Sequence, residues 1–208
     1  MKRTWMAATV CAAAAVCLAA FDAEAQMIRR PGMPGAAAPL AGPAAASAAV
    51  KLRSQPKAVP EKTPVFKTST TQQTSNNEAW WHAEVEFETG AEWTDELEFT
   101  WYAYVESQKE GTPMFRCVTT YVNIPKGKHK ADAFLNPVTL KRYGRPKFTA
   151  VVVKVNGAVV DSATDANVAD WWNRFSPIDG VLLNRSMTPF SVLDYDAYPC
   201  IKPVAPGR

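Results

Sequence analysis

The chain has 208 residues, 47% of them hydrophobic and 21% charged, with a formal net charge of +3. This balance excludes collagen-like and wholly disordered chains, and it is too weakly basic to imply a nucleic-acid partner. Met1, Lys2 and Arg3, an alanine-dominated apolar run from Trp5 to Phe21, and then Ala23-Glu24-Ala25 predict a cleaved export signal over residues 1–25. The run is short for a bilayer span and Pro/Gly-rich sequence follows it, so no transmembrane segment is expected in the mature chain. Val10 and Val16 precede Cys11 and Cys17 where a lipidation site needs a smaller residue, so both thiols should leave with the signal. The expected location is the periplasm, or the outer membrane and cell surface.

Residues 26–76 read as a disordered, Pro/Ala-rich linker. Pro31, Pro34, Pro39, Pro43, Pro56, Pro60 and Pro64 recur among Ala, Gly and Ser, with too few large apolar side chains to offset the entropy of ordering. The segment is basic: Arg29, Arg30, Lys51, Arg53, Lys57, Lys62 and Lys67 face only Glu61. Such a tail serves either as a solubilising spacer or as an electrostatic hold on an anionic envelope surface.

Residues 77–208 read as one all-β domain. Residues 81–88 alternate, with Trp81, Ala83, Val85 and Phe87 apolar and His82, Glu84, Glu86 and Glu88 polar, which predicts a half-buried strand. Gly90 punctuates. Leu97, Phe99, Trp101, Ala103 and Val105 define a second strand on the same rule. Residues 114–124 make a third, residues 126–130 a charged loop, and residues 131–135 a short fourth strand. Asn136-Pro137 and Gly144-Arg145-Pro146 bracket a further short segment. Residues 148–155 and 158–162, joined by Asn156-Gly157, form the clearest hairpin, because Asn-Gly tolerates the positive φ of a two-residue turn. One helix is expected over residues 166–175, capped by Asp165 or Asn167. Leu182, Leu183, Phe190, Val192 and Leu193 are the apolar anchors of the less periodic C-terminal stretch. Six or seven strands and one short helix predict an immunoglobulin-like β-sandwich, with Trp101 as its buried mid-strand tryptophan.

Cys117 and Cys200 are the thiols of the mature chain, and in an oxidising compartment the simplest reading is a disulfide fastening the C-terminal segment to the third strand. A nucleophilic cysteine is the alternative, but it would need a base from His82 or His129, neither of which sits in a catalytic signature. The carboxylates Glu84, Glu86 and Glu88, then Glu92, Asp95, Glu96 and Glu98, read as a solvated sheet face rather than an acid–base pair. No metal-ligand spacing, phosphate-binding glycine loop or hydrolase elbow occurs, so neither enzyme activity, metal nor cofactor is expected. The aromatics carry more information. Trp80 and Trp81 are adjacent on a strand, so one of them should face solvent, a partner or a covering segment. Trp80, Tyr102, Tyr104 and Trp171 form the candidate binding patch, open to a protein partner or to glycan stacking.

The strand at residues 81–88, the segment Asp95-Glu96-Leu97-Glu98-Phe99-Thr100-Trp101-Tyr102 and the ending Thr188-Pro189-Phe190-Ser191-Val192-Leu193-Asp194-Tyr195-Asp196 resemble exported immunoglobulin-like proteins of the Verrucomicrobia, of the Akkermansia type. The resemblance covers residues 77–204. It implies a non-enzymatic envelope protein encoded with a type IV pilus system and acting in pilus assembly or adhesion. A pilin keeps a long apolar N-terminal helix that Pro31 and its neighbours forbid, so the implied role is accessory. A module binding mucin glycans through exposed Trp and Tyr is the alternative.

Overall fold

The computed structural model describes residues 50–65, 67–68, 71–72, 78–107 and 111–203. The export signal and the first half of the expected linker lie outside the described residues. In chain order the strands are β1 (Val50–Leu52), β2 (Lys57–Lys62), β3 (Lys67–Thr68), β4 (Thr71–Gln72), β5 (Ala79–Val105), β6 (Met114–Leu135), β7 (Pro146–Val155), β8 (Ala158–Thr164), β9 (Pro177–Asp179) and β10 (Cys200–Ile201). Among the described residues one α-helix, α1 (Pro137–Tyr143), joins β6 to β7.

The architecture is one long hairpin folded over on itself. β5 and β6 pair antiparallel from Trp81↔Leu135 at one end to Tyr104↔Met114 at the other. A straight strand of 27 residues would run about 90 Å, far longer than a domain of this size. The bend falls where Thr89 faces Gly127 and Trp93 faces Pro125, so that Gly90, Ala91 and Glu92 stand opposite Lys126 alone. Three residues against one is an even insertion, so the alternation of faces keeps its phase across the bulge. Val85 and Phe87 before it, and Leu97, Phe99, Trp101, Ala103 and Val105 after it, all end up buried. Phe87 and Phe99 belong to the same strand, yet their rings lie 4.9 Å apart across the interior.

The two halves form the layers of a sandwich-like, mostly β fold. The path through the sheet is β10-β6-β5-β7-β8, with β1 and β2 on the N-terminal half of β5 and β9 parallel to β6. Where β1 approaches β8, the Leu52 amide donates to Asp161 at 2.8 Å. The expected Asn-Gly hairpin is present, with Asn156 at φ 52° and Gly157 at φ 79°. Trp101 is fully buried at the centre.

Four expectations are corrected. The first concerns the linker over residues 26–76, which is not uniform: β1 and β2 dock on β5, from Val50↔Thr89 to Lys62↔Ala79. A strand edge is satisfied by backbone groups, so a segment poor in apolar side chains can still pair with it, and Pro60 is tolerated because β2 is an edge strand. The second concerns the charged loop at residues 126–130, which is strand. Lys128 and Lys130 sit opposite Glu88 and Glu86, so the two charged runs are the facing rungs of one ladder.

Third, the helix lies elsewhere. Asn136 caps α1 by accepting from the Thr139 amide at 2.7 Å, Pro137 opens it, and the amide of Gly144 (φ 93°) closes it onto the Leu140 carbonyl. Residues 166–175 hold only a 3-10 turn, Trp171–Arg174. Asp165 is spent on the Thr149 amide of β7 at 2.7 Å, and Asp170 at φ 53° breaks the helical path. Fourth, Cys117 and Cys200 are free thiols. β10 does fasten the C-terminal segment to the third expected strand, but through backbone pairing that sets Cys200 opposite Val122. Cys117 lies five residues further along β6, about 17 Å away and on the other face, beyond the roughly 7 Å limit for a disulfide.

Candidate functional site

The outward face of the C-terminal half of the hairpin is aromatic. Tyr102 and Tyr104 on β5 stand beside Ala150 and Phe148 on β7 by register. Residues 165–175 close over them. Trp172 stacks on Tyr102 at 5.9 Å, and Trp171 meets Tyr104 edge-on at 6.0 Å. The Trp171 indole N–H donates to Thr164 Oγ1 at 2.9 Å, which satisfies its polar atom inside an apolar layer. Met114, Ala150 and Val152 complete this second core.

The layer is left open at one end. A cleft of about 390 Å³ is lined by Tyr104, Phe148, Val168, Trp171, Arg174 and Phe175. Phe175 is 38% exposed and Val168 48%, so the rim is apolar and wet. Lys147 lies over the Phe148 ring at 5.7 Å and pairs with Glu106. Arg174 makes no ion pair among the described residues, so it is the uncompensated charge of the cleft. Asp170, in left-handed backbone geometry, opens the turn that presents Trp171 and Arg174.

Of the four expected patch residues, Tyr102, Tyr104 and Trp171 therefore come together. Trp171 and Trp172 are both buried, and both Tyr102 and Tyr104 are half-buried. Trp80 is far along β5 on the other half of the hairpin. Its indole N–H donates to Thr63 at 3.0 Å, and its ring meets Phe134 and Phe190 edge-on. Trp81 is the inward member of that pair. Phe148, Val168, Arg174 and Phe175 were missed by the sequence reading. The one local signal near them is the run of Trp171, Trp172 and Phe175 inside the expected helix 166–175.

A second polar assembly lies on the outer face of the N-terminal half, beneath the irregular segment 183–199. Leu183 exchanges two backbone hydrogen bonds with Phe134, both 2.8 Å. His82, Phe134 and Phe190 form a stack of three rings, at 4.4 and 5.0 Å. Arg185 is buried; its Nη1 donates to Asp132 at 2.5 Å, its Nη2 donates to the Leu193 carbonyl, and its guanidinium lies 3.8 Å from the Tyr198 ring centre. Of the expected C-terminal anchors, Leu182 and Phe190 are buried, but Val192 is 62% exposed.

The carboxylate row is engaged here. Glu84 accepts from Tyr198 at 2.5 Å and from Lys130 at 3.0 Å. Burial pushes its pKa up, but the Tyr198 and Lys130 hydrogen bonds, with the positive charge of Lys130, outweigh that and hold it below the ordinary carboxylate value. Burial and the bond to Glu84 push the Tyr198 phenol far up. His82 contacts Glu61 and Asp132 directly, at 2.7 and 3.4 Å. Among the described residues no group of three His, Cys, Asp or Glu side chains is placed to hold a metal ion. Burial also raises the Cys117 thiol to about 11, which keeps it protonated and unreactive at neutral pH. No helix among the described residues is long and apolar enough to cross a membrane.

Comparison with curated proteins finds no match. Among solved structures, a crystal structure of a protein from Akkermansia muciniphila is similar, with a TM-score of 0.66 and 26% sequence identity. The similarity covers 76% of this chain and 94% of that one. The relatedness to an Akkermansia protein implied by residues 81–88, 95–102 and 188–196 is thus matched at the level of fold and organism. A protein-family model matches residues 43–204, a span that includes β1, β2 and the whole bent hairpin, and the chain belongs to the family that model defines.

Proposed function

We propose that this protein is a non-catalytic interaction module of the bacterial cell envelope, an accessory component of a type IV pilus-like system, exported and acting in the periplasm or at the cell surface. The observation that carries the reading is the aromatic cleft beside Arg174. An apolar concavity with one uncompensated cation at its rim suits a protein segment that presents a large apolar side chain next to a carboxylate. The cleft sits on a loop braced by two strands, where recognition surfaces usually lie. The ordered charges elsewhere support a binding role, since Glu84, Glu88, Glu96 and Glu98 are each engaged by a Lys or Arg.

Glycan stacking is the alternative. It calls for a ring with a free planar face, and here Tyr102 is stacked on Trp172 while Tyr104 is hemmed by Phe148, Trp171 and Phe175. The test is recovery from envelope extracts on the full mature chain, followed by direct binding of the recovered component after purification. Phe175→Ala and Arg174→Glu should each weaken a pilus component at least tenfold while leaving thermal stability unchanged. Binding indifferent to both substitutions overturns the assignment of the cleft. A mucin-glycan array that responds to the wild type, and is silenced by Tyr102→Ala or Trp80→Ala, replaces the protein-docking reading with a lectin-like one.

A further inference from the structure

Residues 194–197 form a turn on the segment that covers the N-terminal half of the hairpin. The Ala197 amide donates to the Asp194 carbonyl at 3.0 Å, so Tyr195 and Asp196 occupy the tip. The base of the turn is fixed on both sides. Buried Arg185 donates to the Leu193 carbonyl at 2.7 Å, and the Lys130 amide of β6 donates to the Ala197 carbonyl at 3.2 Å. Asp194 has φ 49°, a left-handed geometry uncommon outside glycine. The side chain held out by this base is 81% exposed, and no other large apolar or aromatic side chain among the described residues is as exposed as Tyr195.

The turn and the aromatic cleft are chemical complements. Asp194 and Asp196 are exposed on either side of Tyr195, and neither carboxylate makes an ion pair among the described residues. The cleft offers the converse: apolar walls from Tyr104, Phe148, Trp171 and Phe175, the uncompensated Arg174, and no carboxylate in its lining. Asn167 in the same wall supplies a polar group for a phenol, which a tyrosine needs once its ring is buried. Trp93, 63% exposed, is the rival knob. Only Glu92 adjoins it, and it is held in the β5–β6 ladder opposite Pro125 rather than at a projecting tip.

The cleft lies on the outward face of the C-terminal half and the turn on the outer face of the N-terminal half, so a chain does not fill its own cleft. We propose that the cleft receives Tyr195 of a second copy of this chain, with Asp194 and Asp196 of that copy neutralising Arg174. The turn is braced before it docks, so little ordering entropy opposes the contact. Two different patches meet, which makes the contact heterologous. Each bound pair leaves a free cleft at one end and a free turn at the other, and the assembly grows head to tail until it closes as a ring or runs on as a filament. This inference rests on the reading of the cleft as a protein-docking surface.

Sedimentation velocity of the full mature chain, over a concentration series up to about 1 mM, tests this. The mean mass should rise with concentration, and less steeply at high salt, where the attraction between Arg174 and the carboxylates is screened. Tyr195→Ala, at an exposed position that spares the core, and Arg174→Glu should each weaken association about tenfold or more, as for one anchor lost from an interface. Trp93→Ala should leave it unchanged. Mixing the Tyr195→Ala chain, whose cleft is intact, with the Arg174→Glu chain, whose turn is intact, should restore one contact per pair and stop at a heterodimer. A wild type that stays monomeric throughout the series, association that survives Tyr195→Ala, or a mixture that does not pair would each overturn the inference. The docking reading is decided separately: if the wild type is monomeric while an envelope component still depends on Arg174 and Phe175, the cleft docks another protein and only the second copy is excluded.

Discussion

Between the two halves of the folded hairpin, Phe87, Phe99, Trp101 and Tyr121 fill the interior with apolar volume. On the outer face of the N-terminal half, the segment 183–199 combines a buried Phe190 stacked on Phe134 with polar contacts from Arg185 to Asp132 and from Tyr198 to Glu84. The first region gains its stability from area and packing, which are non-directional and tolerate exchanges that conserve volume. The second adds directed polar contacts, of which the Arg185–Asp132 pair is buried, so that losing one partner there strands the other. A protein covered this way holds an irregular segment in one position without regular secondary structure.

The comparison can be broken from either side. Trp101→Ala removes the largest buried side chain of the interior and should cost about 3–5 kcal/mol, measured by chemical denaturation. Trp101→Phe should recover much of that loss. In the charged region Arg185→Ala should cost about 3 kcal/mol, because Asp132 is left buried and unpaired. Asp132→Asn in the same chain should return part of it, whereas no second substitution of similar size rescues Trp101→Ala. Proteolysis within residues 183–199 should accelerate in Arg185→Ala and not in Trp101→Phe.

A smaller effect follows from Glu84. Its pKa is lower in the folded chain than in the unfolded one, so the unfolded state binds more protons as the solution is acidified. The contribution is complete above the ordinary carboxylate range near pH 4.3 and is lost as pH falls through the lowered folded value. Tyr198→Phe should flatten this acid limb while leaving stability at pH 7 less affected. A denaturation series from pH 3 to 7 on both proteins reads the difference. Smallest of all is Cys200→Ser, expected to stay within about 0.5 kcal/mol because the side chain is exposed and unpaired. Alkylation of the native protein should mark Cys200 alone, and Cys117 only on unfolding. A Cys117–Cys200 disulfide in protein purified without reductant would contradict the register of β10.

Much of the interior was legible because strand alternation reports directly on which face is buried. Residues 81–87 and 97–105 show the period of two, and every apolar position among them is inside. The Asn156-Gly157 turn was legible for a similar local reason. The aromatic cleft is half legible: Tyr102, Tyr104 and Trp171 stand out in the sequence, yet Phe148, Val168, Arg174 and Phe175 join them only through the pairing of β5 with β7 and the way residues 165–175 fold back. Trp80 left the patch because the bulge at residues 90–92 puts it on the other half of the hairpin.

The sequence by itself determined the all-β class, the inward set of each long strand, the buried Trp101 and the Asn-Gly hairpin, since these follow from steric and hydrophobic rules acting within a few residues. Tertiary structure alone decided that two expected strands are one bent β5, that β2 pairs with its edge, and that Cys117 and Cys200 stay apart. It also decided that Glu61, His82, Asp132 and Arg185 converge. Each of those outcomes depends on backbone pairing or ion pairing between segments tens of residues apart, whose partners carry no local mark of one another.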